Sequence, residues 1–219
     1  MLFDLSQIRL LRPDSPIKSL VISSSLPDEG KTTIALHLAQ AAAAMGQRVL
    51  LVNADMRKVN PQKSANKNLI AGLTDVIAGN THLMDVIQLL PGEENLYILP
   101  AGSTVMDPTS LLGSNKMRNL MEICKHNFDL VIYDTVPLIF ADSLLLIPQT
   151  DGLLMVTRLS KIHREDLRNS LNTLDVSRVT VLGLVVNMAN RVGSPKNASN
   201  AKTKPVKTKG SLNAASTTS

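Results

Sequence analysis

A short run near the N-terminus carries the residue types that hold phosphate groups. Residues 25–32 read Ser-Leu-Pro-Asp-Glu-Gly-Lys-Thr and match the pattern G-x-x-x-x-G-K-S/T, except that Ser25 occupies the first glycine position. In this pattern Gly30 lets the backbone approach phosphate, Lys31 supplies a positive charge, and the Thr32 hydroxyl can ligate magnesium. Backbone N–H groups at the start of the following helix also point at the anion. We therefore predict that the chain binds a nucleoside triphosphate with Mg²⁺ through Asp28, Glu29, Gly30, Lys31, Thr32 and Thr33.

Two aspartates follow apolar runs that are typical of strands. Asp55 comes shortly after residues 49–52, and Asp134 comes directly after residues 130–133. Open parallel sheets bind ligands at the carboxyl ends of their strands, where a carboxylate can hold magnesium. Each aspartate alone could be a solvated strand-end residue, and a Gly-Lys-Thr tripeptide is common by chance, but their combination favours a functional site. We predict Lys31, Asp55 and Asp134 as catalytic residues, and Thr32, Asp55 and Asp134 as the residues that serve magnesium.

Asn187 closes the last apolar run of the chain. Its amide carries both donors and an acceptor, so it could read the edge of a nucleotide base. The alternative is an asparagine that merely ends a strand in a turn. The four histidines share no metal-ligand spacing, and no G-x-S-x-G elbow is present. The sequence therefore indicates neither a histidine metal cluster nor serine hydrolase chemistry.

Short apolar runs alternate with helical patterns from Lys18 to Asn187. Most of these runs are continuously apolar, which is typical of strands covered on both faces. The alternation predicts an α/β fold of the P-loop NTPase type, with a mostly parallel central sheet and helices on both faces. We predict strands at residues 20–22, 49–52, 96–99, 130–133, 153–156 and 181–186. We predict helices at about residues 32–45, 83–89, 109–126, 143–147 and 164–174, with Gly46 ending the first.

Composition divides the 219 residues into three predicted segments: 1–17, a nucleotide-binding domain at 18–190, and a basic tail at 191–219. The tail has six basic and no acidic residues and lacks apolar periodicity, so we expect it to be disordered. The remainder carries 17 basic and 18 acidic residues, so no specific nucleic-acid partner is expected. Cys124 is the only cysteine, and no apolar run approaches the roughly 18 residues of a membrane span. We predict a cytoplasmic protein.

The order of the motifs resembles the catalytic domain of bacterial tyrosine kinases (BY-kinases) of capsular and exopolysaccharide systems. Related proteins are the ATPases that partition plasmids and place division sites. The resemblance runs from about Pro16 to Asn190. It rests on residues 27–32, on 51–57 as a second Walker-type stretch, on 72–79, on 95–102 and on 128–134.

This resemblance implies transfer of the ATP γ-phosphoryl group to tyrosine, with ATP and Mg²⁺ as cofactors. It also implies regulation of polysaccharide synthesis and export, a membrane-bound co-polymerase or activator as partner, and a homo-oligomer. The chain would then lie peripherally at the inner membrane through that partner. By resemblance, Lys31 binds phosphate, Thr32 and Asp134 serve magnesium, and Asp55 supports magnesium or its waters. Asp142 matches a family acid on the following helix.

Four features depart from the family pattern. Asn53 stands where the family has an acid proposed to help deprotonate the tyrosine, and an amide takes no proton near neutral pH. The two tyrosines, Tyr97 and Tyr133, fall in predicted strands and none lies in the tail. Val136-Pro137 replaces a Pro-Pro pair, and residues 7–12 do not match the family's oligomerisation helix. The alternatives to an active kinase are a catalytically impaired ATP-binding regulatory subunit and a partition-type ATPase.

Overall fold

A computed structural model describes residues 16–57, 71–177 and 179–188 of the chain. Seven strands form one sheet in this part: β1 (Ser19–Ser24), β2 (Val49–Asn53), β3 (Gln88–Leu89), β4 (Leu96–Leu99), β5 (Leu130–Asp134), β6 (Leu153–Thr157) and β7 (Val181–Val186). Their order is β3-β4-β2-β5-β1-β6-β7. Only β3 pairs antiparallel among these strands, so the predicted mostly parallel α/β sheet is confirmed.

Helices connect the strands. Among the described residues they are α1 (Lys31–Ala44), α2 (Leu73–Ala78), α3 (Leu83–Val86), α4 (Pro108–Leu112), α5 (Asn115–Asn127), α6 (Asp142–Leu146) and α7 (Arg164–Val176), with a 3₁₀ turn at Ile147–Gln149. Gly46 follows α1 with a φ of +81°, and its N–H donates to the Ala43 carbonyl at 2.9 Å. The predicted glycine stop of this helix is therefore confirmed.

Both faces of the sheet are covered, because successive residues of a strand point to opposite sides. Leu20 and Ile22 of β1 pack with Leu38 of α1 in one apolar cluster. Val21, between them, belongs to a second cluster on the opposite face, which includes Leu174 of α7. Burial on both faces explains why these parallel strands are continuously apolar.

Like the short strand β3 at the other end of the sheet, β7 lacks this double burial. It lies at the end of the sheet, and Val181 and Leu184 are each more than two-fifths exposed. The continuously apolar run at residues 181–186 therefore predicted a cover on both faces that this strand does not have.

Two predicted helices differ from those observed, and one observed helix was not predicted. The helix expected at residues 83–89 ends at Val86, and Gln88–Leu89 instead forms the antiparallel edge strand β3. The helix expected at 109–126 is two helices, because Ser114 accepts from the Met117 N–H and starts a new helix after Gly113. α2 was not predicted. It is a six-residue helix that ends at Gly79, too short for its apolar periodicity to stand out.

Two sequence predictions fall on residues outside the described ranges. They are the N-terminal segment up to residue 15 and the tail at 191–219. The division at residues 17 and 190 therefore stays a prediction. Within the described ranges, none of the helices has the length and apolar character required to cross a bilayer.

Candidate functional site

The sheet brings the predicted site together at the carboxyl ends of β2, β5 and β1, which are neighbours. Asp134 pairs in register with Ile22 of β1 on one side and with Asn53 of β2 on the other. The Ala54 N–H donates to the Asp134 carbonyl at 2.8 Å, which holds the start of the next loop against β5. The phosphate-binding loop, Asp55 and Asp134 consequently lie at the same carboxyl-terminal end of the strands. Their positions after apolar runs of the sequence predicted this.

Lys31 is the first residue of α1 and is almost completely buried. Asp55 and Asp134 are buried as well, and each of these three side chains interacts with other groups of the protein. Thr32 and Thr33 follow in the exposed first turn of the helix. This arrangement brings a cation, a hydroxyl and the N–H groups of a helix N-terminus to the same end of the sheet as two carboxylates.

The donor set fits Mg²⁺ bound to a nucleotide. A threonine hydroxyl and two carboxylates are the hard oxygen ligands that Mg²⁺ prefers. No cluster of three or more histidine, cysteine or acidic side chains suited to a metal occurs within the residues that the structure describes. Mg²⁺ usually keeps several waters and is held partly by substrate phosphates.

The phosphate-binding loop adopts two positive φ angles. Gly30 has a φ of +91°, which glycine tolerates because it has no Cβ. Asp28 has a φ of +60°, a left-handed conformation in which aspartate is one of the more tolerated residues. The Asp28 side chain is 83% exposed, and Lys161 donates to it at 3.4 Å and to the Pro27 carbonyl at 2.9 Å. Sequence reasoning missed Lys161, which lies 134 residues from Pro27 in the chain.

Glu29 does not offer its side chain to a ligand. Its carboxylate is fully buried and accepts hydrogen bonds from the Leu26 N–H, the Arg158 N–H and the Thr157 hydroxyl. The predicted contribution of Glu29 to nucleotide binding can therefore come only from its backbone. Asn187 lies close by, because its amide donates to the Glu29 carbonyl at 2.9 Å and accepts from the Met188 N–H. One N–H of the Asn187 amide remains for the predicted base contact.

The Asn53 side chain holds the segment that follows β2 by a hydrogen bond to its backbone. Its side-chain oxygen accepts from the Asp55 N–H at 3.1 Å, and Asp55 in turn accepts from the Arg57 N–H at 3.3 Å. These are turns in which a short polar side chain binds the backbone two residues later. The Asn53 amide thus shapes the segment that presents Asp55, and as an amide it supplies no base.

Asp142 is buried at the start of α6 and binds Arg57 and Thr109. Hydrogen bonds from Arg57 lower the pKa of Asp142, outweighing the rise that burial would cause, and Thr109 lowers it further. The same pairing raises the pKa of Arg57. The Arg57 guanidinium also lies 4.9 Å from the ring centroid of Phe140. The carboxylate therefore joins the segment after β2 to the segment after β5, and this gives the family-matched acid a structural role.

Comparison with known proteins identifies the family of the chain. A family model described as an AAA domain matches residues 20–180. The tyrosine-protein kinase YwqD of Bacillus subtilis (strain 168) is 31% identical over 83% of this chain and 77% of its own length. The tyrosine-protein kinase ptk of Acinetobacter johnsonii is 33% identical over 77% of this chain. The chain spans only 23% of ptk, so it corresponds to one part of that longer relative.

Solved structures show the same fold. The kinase domain of the Escherichia coli tyrosine kinase ETK superimposes with a TM-score of 0.75 at 26% identity, covering 88% of this chain and 77% of that one. The septum site-determining protein MinD of Pyrococcus horikoshii OT3, complexed with Mg-ADP, gives a TM-score of 0.60 at 22% identity, over 77% and 69% of the two chains. The second likeness shows the fold alone. The chain is a P-loop protein of the AAA-domain group and belongs to the family of bacterial tyrosine-protein kinases.

Proposed function

We propose that this chain is a Mg-ATP-dependent tyrosine kinase domain of the capsule and exopolysaccharide type. The observation that carries the proposal is the position of the buried Lys31, at the start of α1, at the same sheet edge as Asp55 and Asp134. Relatives named tyrosine-protein kinases that match over most of the chain support it. In this proposal the site residues bind ATP, and the γ-phosphoryl group of ATP is transferred to the tyrosine.

Each site residue has a role that its chemistry supports. Lys31 binds the β- and γ-phosphates and offsets the negative charge that develops during transfer. Thr32 and Asp134 hold Mg²⁺, and Asp55 binds the ion or one of its waters. Phosphoryl transfer has a loose transition state, so most of the catalysis comes from positioning and charge. The Asn53 amide removes one general base, which is worth about 10²–10⁴-fold in rate where such a base operates.

The acceptor tyrosine belongs to another polypeptide in this proposal. Tyr133 lies inside β5 and is 1% exposed, and burial raises its pKa far above the usual value. Tyr97 is half-buried in β4, where its ring packs edge-on against Phe128 at 5.6 Å. Neither phenol of this chain is presented to an active site. A membrane-bound polysaccharide co-polymerase is the acceptor or activator that we propose, and the chain would act at the inner membrane through it.

A phosphotransfer assay tests the proposal. The purified chain is incubated with Mg-ATP and a tyrosine-rich copolymer, with and without a membrane-bound co-polymerase, and phosphotyrosine is measured. We expect Mg²⁺-dependent phosphotyrosine that Lys31→Ala abolishes. Lys125→Ala is the matched control, because Lys125 lies at the end of α5 and contacts Asp151 at 3.5 Å, at the opposite edge of the sheet. Phosphotyrosine that is absent with every acceptor would overturn the kinase proposal.

One observation favours a second function, a regulatory subunit that binds Mg-ATP without transferring phosphate. The side-chain oxygen of Asn53 is committed to the Asp55 N–H, and no proton acceptor replaces the family acid at that position. This alternative predicts that Mg-ATP raises the melting temperature while no phosphotyrosine forms. Lys31→Ala should then remove the nucleotide-dependent rise.

A further inference from the structure

The Glu29 carboxylate joins the phosphate-binding loop to the end of β6. One carboxylate oxygen accepts from the Leu26 N–H at 2.7 Å, which closes the loop on itself. The other accepts from the Arg158 N–H at 2.9 Å and from the Thr157 hydroxyl at 3.3 Å, at the end of β6. The side chain is completely buried, so these charge-assisted bonds replace its contacts with water.

Asn187 braces the same residue from the end of β7. Its amide donates to the Glu29 carbonyl at 2.9 Å. A Cβ placed on the neighbouring Gly30 would lie 2.1 Å from the Asn187 nitrogen, so the two residues are in close contact. The loop follows β1 in the chain, and Glu29 also connects it by hydrogen bonds to the ends of β6 and β7. Residues 128 and 158 positions apart in sequence act on a single loop residue.

The bonds to Glu29 constrain the backbone that would face the phosphates. A phosphate-binding loop works through N–H groups that are fixed before the anion arrives, since preorganised donors need no rearrangement when it binds. Glu29 lies between the positive-φ residues Asp28 and Gly30, where the loop bends most sharply. If the carboxylate were lost, three donors would be left without their acceptor and the loop would relax toward other conformations.

We propose that Glu29 is a positioning residue for the triphosphate, held in place by Thr157, Arg158 and Asn187. Its side chain does not touch the ligand. It fixes the backbone of the loop through Leu26 on one side and through the ends of β6 and β7 on the other. The inference rests on the proposed function, because the ligand is the ATP that the kinase would use. It adds a residue whose substitution weakens binding without removing a group that contacts phosphate.

The test compares nucleotide affinity with stability in the absence of nucleotide. Mg-ATP affinity is measured by titration for the wild type and for Glu29→Gln, which keeps the size of the side chain and removes its charge. We expect the dissociation constant to rise about tenfold or more, since hydrogen bonds to a charged group are the stronger ones. Thr157→Val removes one bond to the carboxylate and should raise the dissociation constant about threefold, and Asn187→Ala, which also removes the Met188 bond and the predicted base contact, should raise it at least as much. These two variants test the network even if Glu29→Gln does not fold.

A core variant separates positioning from general destabilisation. Leu120→Val alters the buried face of α5, well away from the loop, and lowers the melting temperature without touching the network. The inference predicts that this control retains wild-type affinity for Mg-ATP. It is overturned if Glu29→Gln binds within twofold of the wild type, or if Leu120→Val loses as much affinity for a similar fall in melting temperature. A wild type that binds no Mg-ATP would overturn the proposed function as well.

Discussion

Replacing Gly30 by alanine tests the geometry of the phosphate-binding loop most sharply. Gly30 combines a φ of +91° with a close neighbour, because an added Cβ would lie 2.1 Å from the Asn187 side-chain nitrogen. Gly46 has a similar φ of +81°, yet an added Cβ there would meet nothing within 4 Å. Substitution by alanine should therefore cost the same backbone conformational energy at both glycines, but only at Gly30 should it add a steric clash.

The magnitudes follow from these two contributions. A left-handed conformation costs an alanine about 1–2 kcal/mol, so Gly46→Ala should lower the free energy of unfolding by that amount. Gly30→Ala should cost about 1 kcal/mol more, because the Cβ displaces the Asn187 amide and breaks its bond to the Glu29 carbonyl. Each single variant loses the bond between Asn187 and the Glu29 carbonyl, whereas the double variant Gly30→Ala, Asn187→Ala loses the same bond only once. The double variant should therefore be less destabilised than the sum of its single variants, by about 1 kcal/mol.

Urea denaturation followed by circular dichroism measures the free energy of unfolding of the wild type, the three single variants and the double variant. The m-value must stay the same among the variants for the comparison to hold. If Gly30→Ala and Gly46→Ala lowered the free energy of unfolding equally, the close contact with Asn187 would be refuted. If the double variant lost as much free energy of unfolding as the sum of its two single variants, the contact would be refuted independently.

Three further predictions concern other parts of the chain. Because a general base is worth about 10²–10⁴-fold in rate, Asn53→Asp should raise phosphotyrosine formation by about 10²-fold or more, and an unchanged rate would contradict a rate-limiting role for the missing acid. Arg57 holds the pKa of Asp142 below 3.8, so the stability from this pair is complete above that pH and is lost as the pH falls through the lower folded-state value. The unfolding free energy of Asp142→Asn should accordingly change less in acid than that of the wild type. Burial raises the pKa of Cys124 to about 12, so a thiol reagent at neutral pH should label it only in urea, and rapid labelling of the folded protein would contradict its burial.

The site residues that lie close together in sequence could be predicted well. The phosphate-binding loop is a contiguous pattern, and its strand and helix are local features whose apolar runs and spacing can be read directly. Asp55 and Asp134 could be added because parallel strands bring their carboxyl ends to the same edge. The antiparallel strand β3 could not be predicted, since two exposed residues carry no periodicity of their own.

The contacts that organise the site were beyond sequence reasoning. Glu29 and Thr157 are 128 residues apart, and Arg57 and Asp142 are 85 apart. Their pairing depends on strand order and register, which the residue types do not specify. Glu29 was predicted to bind the nucleotide only because it lies within the phosphate-loop motif. Its carboxylate faces the protein, since the chain bends between Asp28 and Gly30.

Calorimetric titration of the wild-type chain with Mg-ATP, beside Lys31→Ala, tests the central claim most directly. The claim is that residues 25–33, with Asp55 and Asp134, form one magnesium-dependent triphosphate site. We predict saturable binding at one site per chain that needs Mg²⁺ and that Lys31→Ala weakens by at least about tenfold, as expected for a lost charge-assisted contact. Absence of binding by the wild type, or equal binding by Lys31→Ala, would contradict it.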